Sequence, residues 1–316
     1  MPAHNRSGLP SYCTWDRFSV DPERGTANYA GAAEVRAAAE LVRRGTVFGL
    51  DYPLDAFQPP IAGSRTAPQH AITARHRDHR DDRLDGFWLQ GSTHIDGLRH
   101  RRHAECGFYQ GISEERITPH TADLGVNRWA EQPIVGRGVL IDLGRYRQGL
   151  EHPIDHRGGE PLDIGLLDDA LAAQGTRLQT GDLLLLRTGW AHWYLNEATA
   201  DEQECIRATK TCTGLAQSPQ AIEWFAEHRV ALAASDTFAL ERLPAVPGSP
   251  FGADTDHGMM HQELIALLGL PIGELWKLDE LGADCATDGR YDCLLTVKPL
   301  NLTGGVGSPA NATAIK

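Results

Sequence analysis

Apolar residues recur along the chain at two periods, and the points where the period changes mark the predicted elements. Over 32–44, Ala and Glu dominate and Val35, Ala39 and Val42 fall on one stripe with Gly45 behind it, which predicts a helix. Residues 46–51 then read as a strand. Two apolar runs flanked by glycine, VGRGVLID at 135–142 and DLLLLRT at 182–188, predict strands covered on both faces and therefore central in a sheet. Ser218 and Pro219 open QAIEWFAEHR with a capping hydroxyl and a proline at the first helical position, and Val230 to Ser235 follow as a strand. Residues 258–268 and 278–288 predict two more helices, and 291–299 a closing strand before the glycine-rich TGGVGSPAN. Interleaved helices and strands predict an α/β or α+β fold. Without internal repeats, and with proline-rich stretches no longer than loops, a single domain over 1–316 is expected, residues 1–30 forming an N-terminal extension.

Composition narrows the function. With 41% hydrophobic residues, 33 Gly and 18 Pro the chain is globular rather than disordered. Its 30 Lys and Arg against 42 Asp and Glu give a net charge of −12, which lacks the basic footprint of a nucleic-acid binder. No stretch approaches the ~18 apolar residues of a membrane span, and the first 26 residues are charged without an apolar core. A cytoplasmic protein with no nucleic-acid and no membrane partner is expected. The six cysteines form no C-x-x-C pair and read as buried hydrophobes.

The densest chemistry lies in QGSTHIDGLRHRRH at 90–103. On an extended segment side chains alternate, so His94 and Asp96 point the same way and can share one ion, with Gln90 on that face if the strand continues back. His100, beyond the bend that Gly97 permits, is placed to move protons beside the ion without ligating it. Taken alone, an H-x-D pair also suits an ordinary surface strand. His103 is either a further functional imidazole or a charged partner in a basic turn with Arg99, Arg101 and Arg102. A second cluster runs from 254 to 276. His257 and His261 are i and i+4, which is one helix face, and a strand after Gly269-Leu270-Pro271 can bring Glu274 back to the helix start.

These residues carry a family resemblance. GSTHIDGLRH at 91–100 followed by FYQG at 108–111 resembles the signature of the metal-dependent cyclase family that includes bacterial kynurenine formamidase and isatin hydrolase. Blocks at 135–142, 187–190 (RTGW), 234–238 (ASDTF), 261–274 and 299–311 agree in order, so the likeness runs from Trp88 onward. It implies a swivelling β/β/α domain, assembled as a homodimer or homotetramer around a divalent metal. The family pattern H-x-x-x-H-x-D-x-x-x-H falls on Gln90, His94, Asp96 and His100. Its first three positions bind metal and its last acts in acid–base catalysis. The later His and Glu ligands of two-metal members fall on His261 and Glu274, with a spacing one residue longer than in the formamidases. Gln90 stands where a His is expected, and a neutral amide oxygen tilts preference from Zn²⁺ toward Mn²⁺ or a single ion. Gly97-Leu98-Arg99 also departs from the usual stretch before the last His, so no relative's substrate is carried over.

The expected activity is metal-dependent hydrolysis of a small cyclic or aryl amide, lactam, lactone or ester, with Mn²⁺ or Zn²⁺ as cofactor and His100 as proton shuttle. A cyclase or lyase without net hydrolysis, or a non-catalytic binding protein, uses the same residues. Trp88, Tyr109 and Trp190 are candidates for an apolar wall around a small-molecule substrate, or simply core. Asp236 is expected to support a His ligand from behind, with capping of its strand end as the alternative.

Overall fold

The computed structural model describes residues 8–252 and 256–316, so Asp254 and Thr255 of the second cluster and the first seven residues lie outside the described residues. Its strands are β1 (Val47–Gly49), β2 (Gln69–Thr73), β3 (Asp81–Asp85), β4 (His94–Asp96), β5 (Ile134–Asp142), β6 (Pro161–Leu162), β7 (Leu183–Arg187), β8 (Gly214–Leu215), β9 (Leu232–Ser235), β10 (Ile272–Glu274), β11 (Asp292–Val297), β12 (Gly307–Ser308) and β13 (Thr313–Ile315). Nine of them form one sheet in the order β1-β13-β11-β5-β7-β9-β10-β4-β12. As their sequences predict, β5 and β7 are central. They run parallel to each other and to β9 and β10, so Asp142, Arg187, Ser235 and Glu274 end their strands on one edge. The runs that covered strands require are present: Val139, Leu140, Ile141, Leu183 to Leu186 and Leu232 to Ala234 are all buried. Helices such as Gly165–Gln174, Pro219–Glu227 and Asp279–Asp288 connect the strands, the second capped by the Ser218 side chain as expected. The fold is a mixed α/β single domain.

Two expectations change. The first helix covers only Ala32–Ala39. Leu41 and Val42 close tighter turns onto Ala38 and Ala39, and the amides of Arg44 and Thr46 turn to the carbonyl of Lys316 at the end of β13, so sheet pairing outcompetes the last helical turn. The segment predicted as an α-helix at 258–268 holds a wider π-helix, Gln262–Leu267, whose six residues are all buried. Such turns concentrate at functional sites. In the described part of the N-terminal segment, Thr14 and Thr26 donate backbone hydrogen bonds to Leu267 and Gly269 (3.1 and 2.8 Å), and the Trp15 indole donates to Ala266 (2.8 Å), clamping the end of the π-helix.

All six cysteines are free. No helix among the described residues is long and apolar enough to cross a membrane.

β10 is held from behind. Gly273 lies against Ala234 and the Trp276 ring, where an added Cβ would stand 2.5 Å from both, and the Trp276 indole donates to the His94 carbonyl at 2.9 Å. Gly273→Ala is therefore expected to destabilise the protein by about 1–3 kcal/mol, the usual cost of overpacking, read as a lower denaturant midpoint. An unchanged midpoint would show that β10 has slack.

Candidate metal centre

The site is built on one antiparallel pairing, in which His94 of β4 lies opposite Glu274 of β10. Side chains opposite one another share a face, and Asp96 joins them two residues on. The three buried residues each offer a ligand atom, and these atoms lie within 4.8 Å of one another. His94 Nδ1 meets the Ser92 carbonyl at 2.8 Å, which aims Nε2 at Glu274 Oε2 (3.1 Å) and Asp96 Oδ1 (3.8 Å). One imidazole and two carboxylates on a buried, rigid face are a fitting donor set for a divalent cation such as Mn²⁺ or Zn²⁺.

A second imidazole completes the ring of charge. His261, just before the π-helix, places Nε2 at 3.1 Å from Glu274 Oε1. Its Nδ1 bonds Glu241, a carboxylate buried in the loop after β9. Glu241 Oε2 also accepts from the Gln217 amide (2.6 Å) and the Met260 N–H (2.9 Å). Sequence reasoning missed Glu241, because nothing in local spacing separates it from exposed glutamates; its role comes from the fold.

Gln90 lies in a turn rather than on an extension of β4. Its amide nitrogen, not its oxygen, points inward, donating to Asp96 Oδ1 and facing His100 Nδ1, each at 3.1 Å. In this arrangement Gln90 holds a carboxylate and a ring in place and offers no oxygen to a cation. His100 Nε2 stands 3.6 Å from Asp96 Oδ2, inside the site but off the carboxylate pair, as the bend at Gly97 predicts.

Burial and charge oppose each other here. For His94, burial lowers the pKa, but Asp96 and the bond to Glu274 raise it above the ordinary imidazole value. For His261, burial is likewise outweighed by the bonds to Glu241 and Glu274, which raise it to about 10. Glu274, which burial alone would raise, is held well below the carboxylate range by the bonds from His261 and His94. His100 differs: burial lowers its pKa and Asp96 only partly offsets this, so its ring is neutral at pH 7.

Several predicted residues serve elsewhere. Trp88 is 45% exposed and donates to Thr66 Oγ1, so it lines no buried wall. Tyr109 is core: its ring packs on Gly269 and its hydroxyl bonds Thr14 Oγ1 at 2.9 Å. Trp190 is fully buried in a second aromatic cluster, stacked on Tyr194 at 5.1 Å beside Leu275. Asp236 supports no histidine. It accepts from Thr188 N, Thr188 Oγ1 and Gly189 N at 2.9, 2.8 and 2.6 Å, capping the turn after β7. Beside it Arg187 is clamped by Asp142 and Asp279, so the RTGW and ASDTF blocks brace the sheet edge. His103 binds Glu263 (3.2 Å), which also accepts from Tyr12 OH (2.6 Å), tying the N-terminal segment to the π-helix. His257 is exposed in a turn before that helix and shares no face with His261. Arg99 is no surface charge either; it is buried and donates to the carbonyls of Thr118, Thr121 and Gly304.

Two outcomes follow. Because a ligand that binds only the folded state stabilises it, Mn²⁺ or Zn²⁺ at about 100 times its dissociation constant should add about 2.7 kcal/mol, seen as a higher melting temperature that His94→Ala abolishes. The same rise in His94→Ala would place the cation elsewhere. Since raised imidazoles must release protons before a cation is held, its affinity should climb with pH between about 6 and 8, up to about tenfold per unit for each proton lost. Calorimetry in buffers of different ionisation enthalpy checks this, and a pH-independent affinity would contradict it.

Comparison with known proteins agrees with the fold. The model of the Cyclase family, described as "Putative cyclase", matches residues 35–242, more than half of the chain. His261 and Glu274 lie beyond that stretch, and the sheet brings them back to it. No curated protein matches significantly. A crystal structure described as a novel cyclase is 32% identical, with a TM-score of 0.82 over 96% of this chain and 99% of that one. Isatin hydrolase A from Labrenzia aggregata, bound to benzyl benzoate, is 18% identical (TM-score 0.58; 88% of this chain, 94% of that one). An isatin hydrolase bound to the product analogue thioisatinate is 16% identical (TM-score 0.56; 87% and 93%), and at these identities the likeness is one of fold. With a family match and a relative of this closeness spanning nearly its whole length, the chain belongs to the cyclase family.

Proposed function

We propose that the chain is a metal-dependent hydrolase of small cyclic or aryl amides, lactams, lactones or esters. The observation that carries this reading is the convergence of His94, Asp96 and Glu274 with a neutral His100 beside them. Isatin hydrolases sharing the fold support a carbonyl substrate of this kind. His94 Nε2, Asp96 and Glu274 would hold the cation, with His261 as a further donor once its proton leaves. Two carboxylates and two imidazoles suit either Mn²⁺ or Zn²⁺. When bound, such a cation supplies Lewis acidity, polarising a carbonyl and lowering the pKa of water toward about 7.

The chain's own residues supply the proton traffic. His100, kept neutral by burial, takes the proton that an attacking water loses and returns it to the leaving nitrogen or oxygen. Glu241 keeps His261 oriented toward Glu274.

The test is turnover of N-formylanilides, isatin-type lactams and aryl lactones with Mn²⁺ or Zn²⁺. A ring-opened product heavier by one water is expected from a lactam or lactone, and an aniline plus formate, together one water heavier, from an N-formylanilide. His100→Ala should lower kcat by about 10²–10⁴-fold while leaving cation affinity unchanged. Products that together gain no water would make the enzyme a cyclase or lyase, and wild-type turnover in His100→Ala would remove His100 from the mechanism.

A further inference from the structure

The π-helix Gln262–Leu267 stands between two residues of the metal centre, His261 directly before it and Glu274 on the strand that follows. A helix end leaves its last four carbonyls without partners of their own. Here four consecutive carbonyls at that end are all met from residues 14–26. The Trp15 indole donates to Ala266 O (2.8 Å), Thr14 N to Leu267 O (3.1 Å), Thr14 Oγ1 to Leu268 O (2.8 Å) and Thr26 N to Gly269 O (2.8 Å). Gly25 permits the close approach: its φ is +61°, and a Cβ there would run into the Gly269 carbonyl.

The same segment grips the helix from its flank. Glu263, buried within the π-helix, accepts from Tyr12 OH on Oε2 (2.6 Å) and from His103 Nε2 on Oε1 (3.2 Å). The direction at His103 is fixed, because its Nδ1 already accepts from the amides of Glu105 and Cys106 (3.3 and 3.2 Å), which leaves the ring proton to Nε2. His103 follows His100 by three residues and Glu263 follows His261 by two. One carboxylate therefore joins Tyr12 to both segments that carry the imidazoles of the site.

The helix type makes this grip matter. The π form, with its i→i+5 bonds, is rare, and relaxing to i→i+4 bonds would release one residue from the turn. Beyond the helix, β10 is pinned by Gly273 and Trp276, so the change would appear at the other end. One residue of an α-helix is a rotation of about 100°, enough to turn His261 away from Glu274 and Glu241.

We propose that residues 12–26 are a strap that keeps this helix in its π form, with Tyr12, Thr14 and Glu263 as positioning residues for His261. The consequence for binding rests on the metal-centre reading: a strap and a cation that favour the same placement of His261 strengthen each other's hold by one common factor.

The test follows amide exchange by mass spectrometry in the full chain, with Mn²⁺ binding measured by calorimetry. In metal-free protein, Tyr12→Phe with Thr14→Val removes both hydroxyls at nearly constant side-chain shape and should speed exchange over 262–268 about tenfold. Exchange in β5 and β7 as in wild type shows that the fold is intact. Glu263→Gln, which leaves one acceptor for two donors, should act in the same sense by a smaller factor. The Mn²⁺ dissociation constant of the double variant should rise about tenfold, and saturating Mn²⁺ should slow exchange over 8–16 in wild type. That last effect separates positioning from bracing alone, which a cation would not move. Wild-type exchange over 262–268 in both variants overturns the proposal, and so does faster exchange with Mn²⁺ affinity unchanged and no effect of Mn²⁺ on 8–16. A wild type that binds no Mn²⁺ ends the metal-centre reading instead, and the metal-free exchange then decides the strap in either direction.

Discussion

The register between β4 and β10 is the constraint on which the site depends. Sheet side chains repeat every two residues, so a slip of one position would turn His94 and Asp96 away from Glu274 and toward the opposite face. The register is pinned on the far side by Gly273, which lets Trp276 pack closely enough for its indole to reach the His94 carbonyl. A packing requirement on one face of the strand thus decides the chemistry on the other.

Around that pairing, protons occupy the place that a divalent cation would take. Two imidazoles held above their ordinary range face Glu274, and Glu241 backs one of them from a fully buried position. Three buried carboxylates near two imidazoles are costly unless fully paired. Bonds from Gln90, Gln217 and the Met260 amide provide that pairing. His100 stands apart in this respect. Its pKa is lowered where those of His94 and His261 are raised, so the site holds imidazoles in two different electrostatic settings.

Much of this was legible in the residues. The runs 135–142 and 182–188 announced central strands because buried parallel strands leave no room for polar alternation, and H-x-D predicted a shared face because period two is a property of the backbone. What failed depended on the third dimension. Asp236 and Arg187 sit in blocks that resemble the family, yet their partners are Thr188, Gly189, Asp142 and Asp279, contacts that brace a sheet edge. Tyr109 and Trp190 are buried for packing, and sequence alone does not separate an aromatic of the core from one that lines a cavity. The π-helix escaped because its apolar residues fit an α-helical spacing equally well. Glu241 gave no signal, since a lone glutamate after a strand is ordinarily solvated.

The most direct measurement is anomalous diffraction at the manganese edge from crystals grown with Mn²⁺. A peak is expected at about 2.0–2.3 Å from His94 Nε2 and from a carboxylate oxygen of both Asp96 and Glu274. A peak bound elsewhere, or full Mn²⁺ occupancy of the crystal with these three side chains still closed on one another, would contradict it.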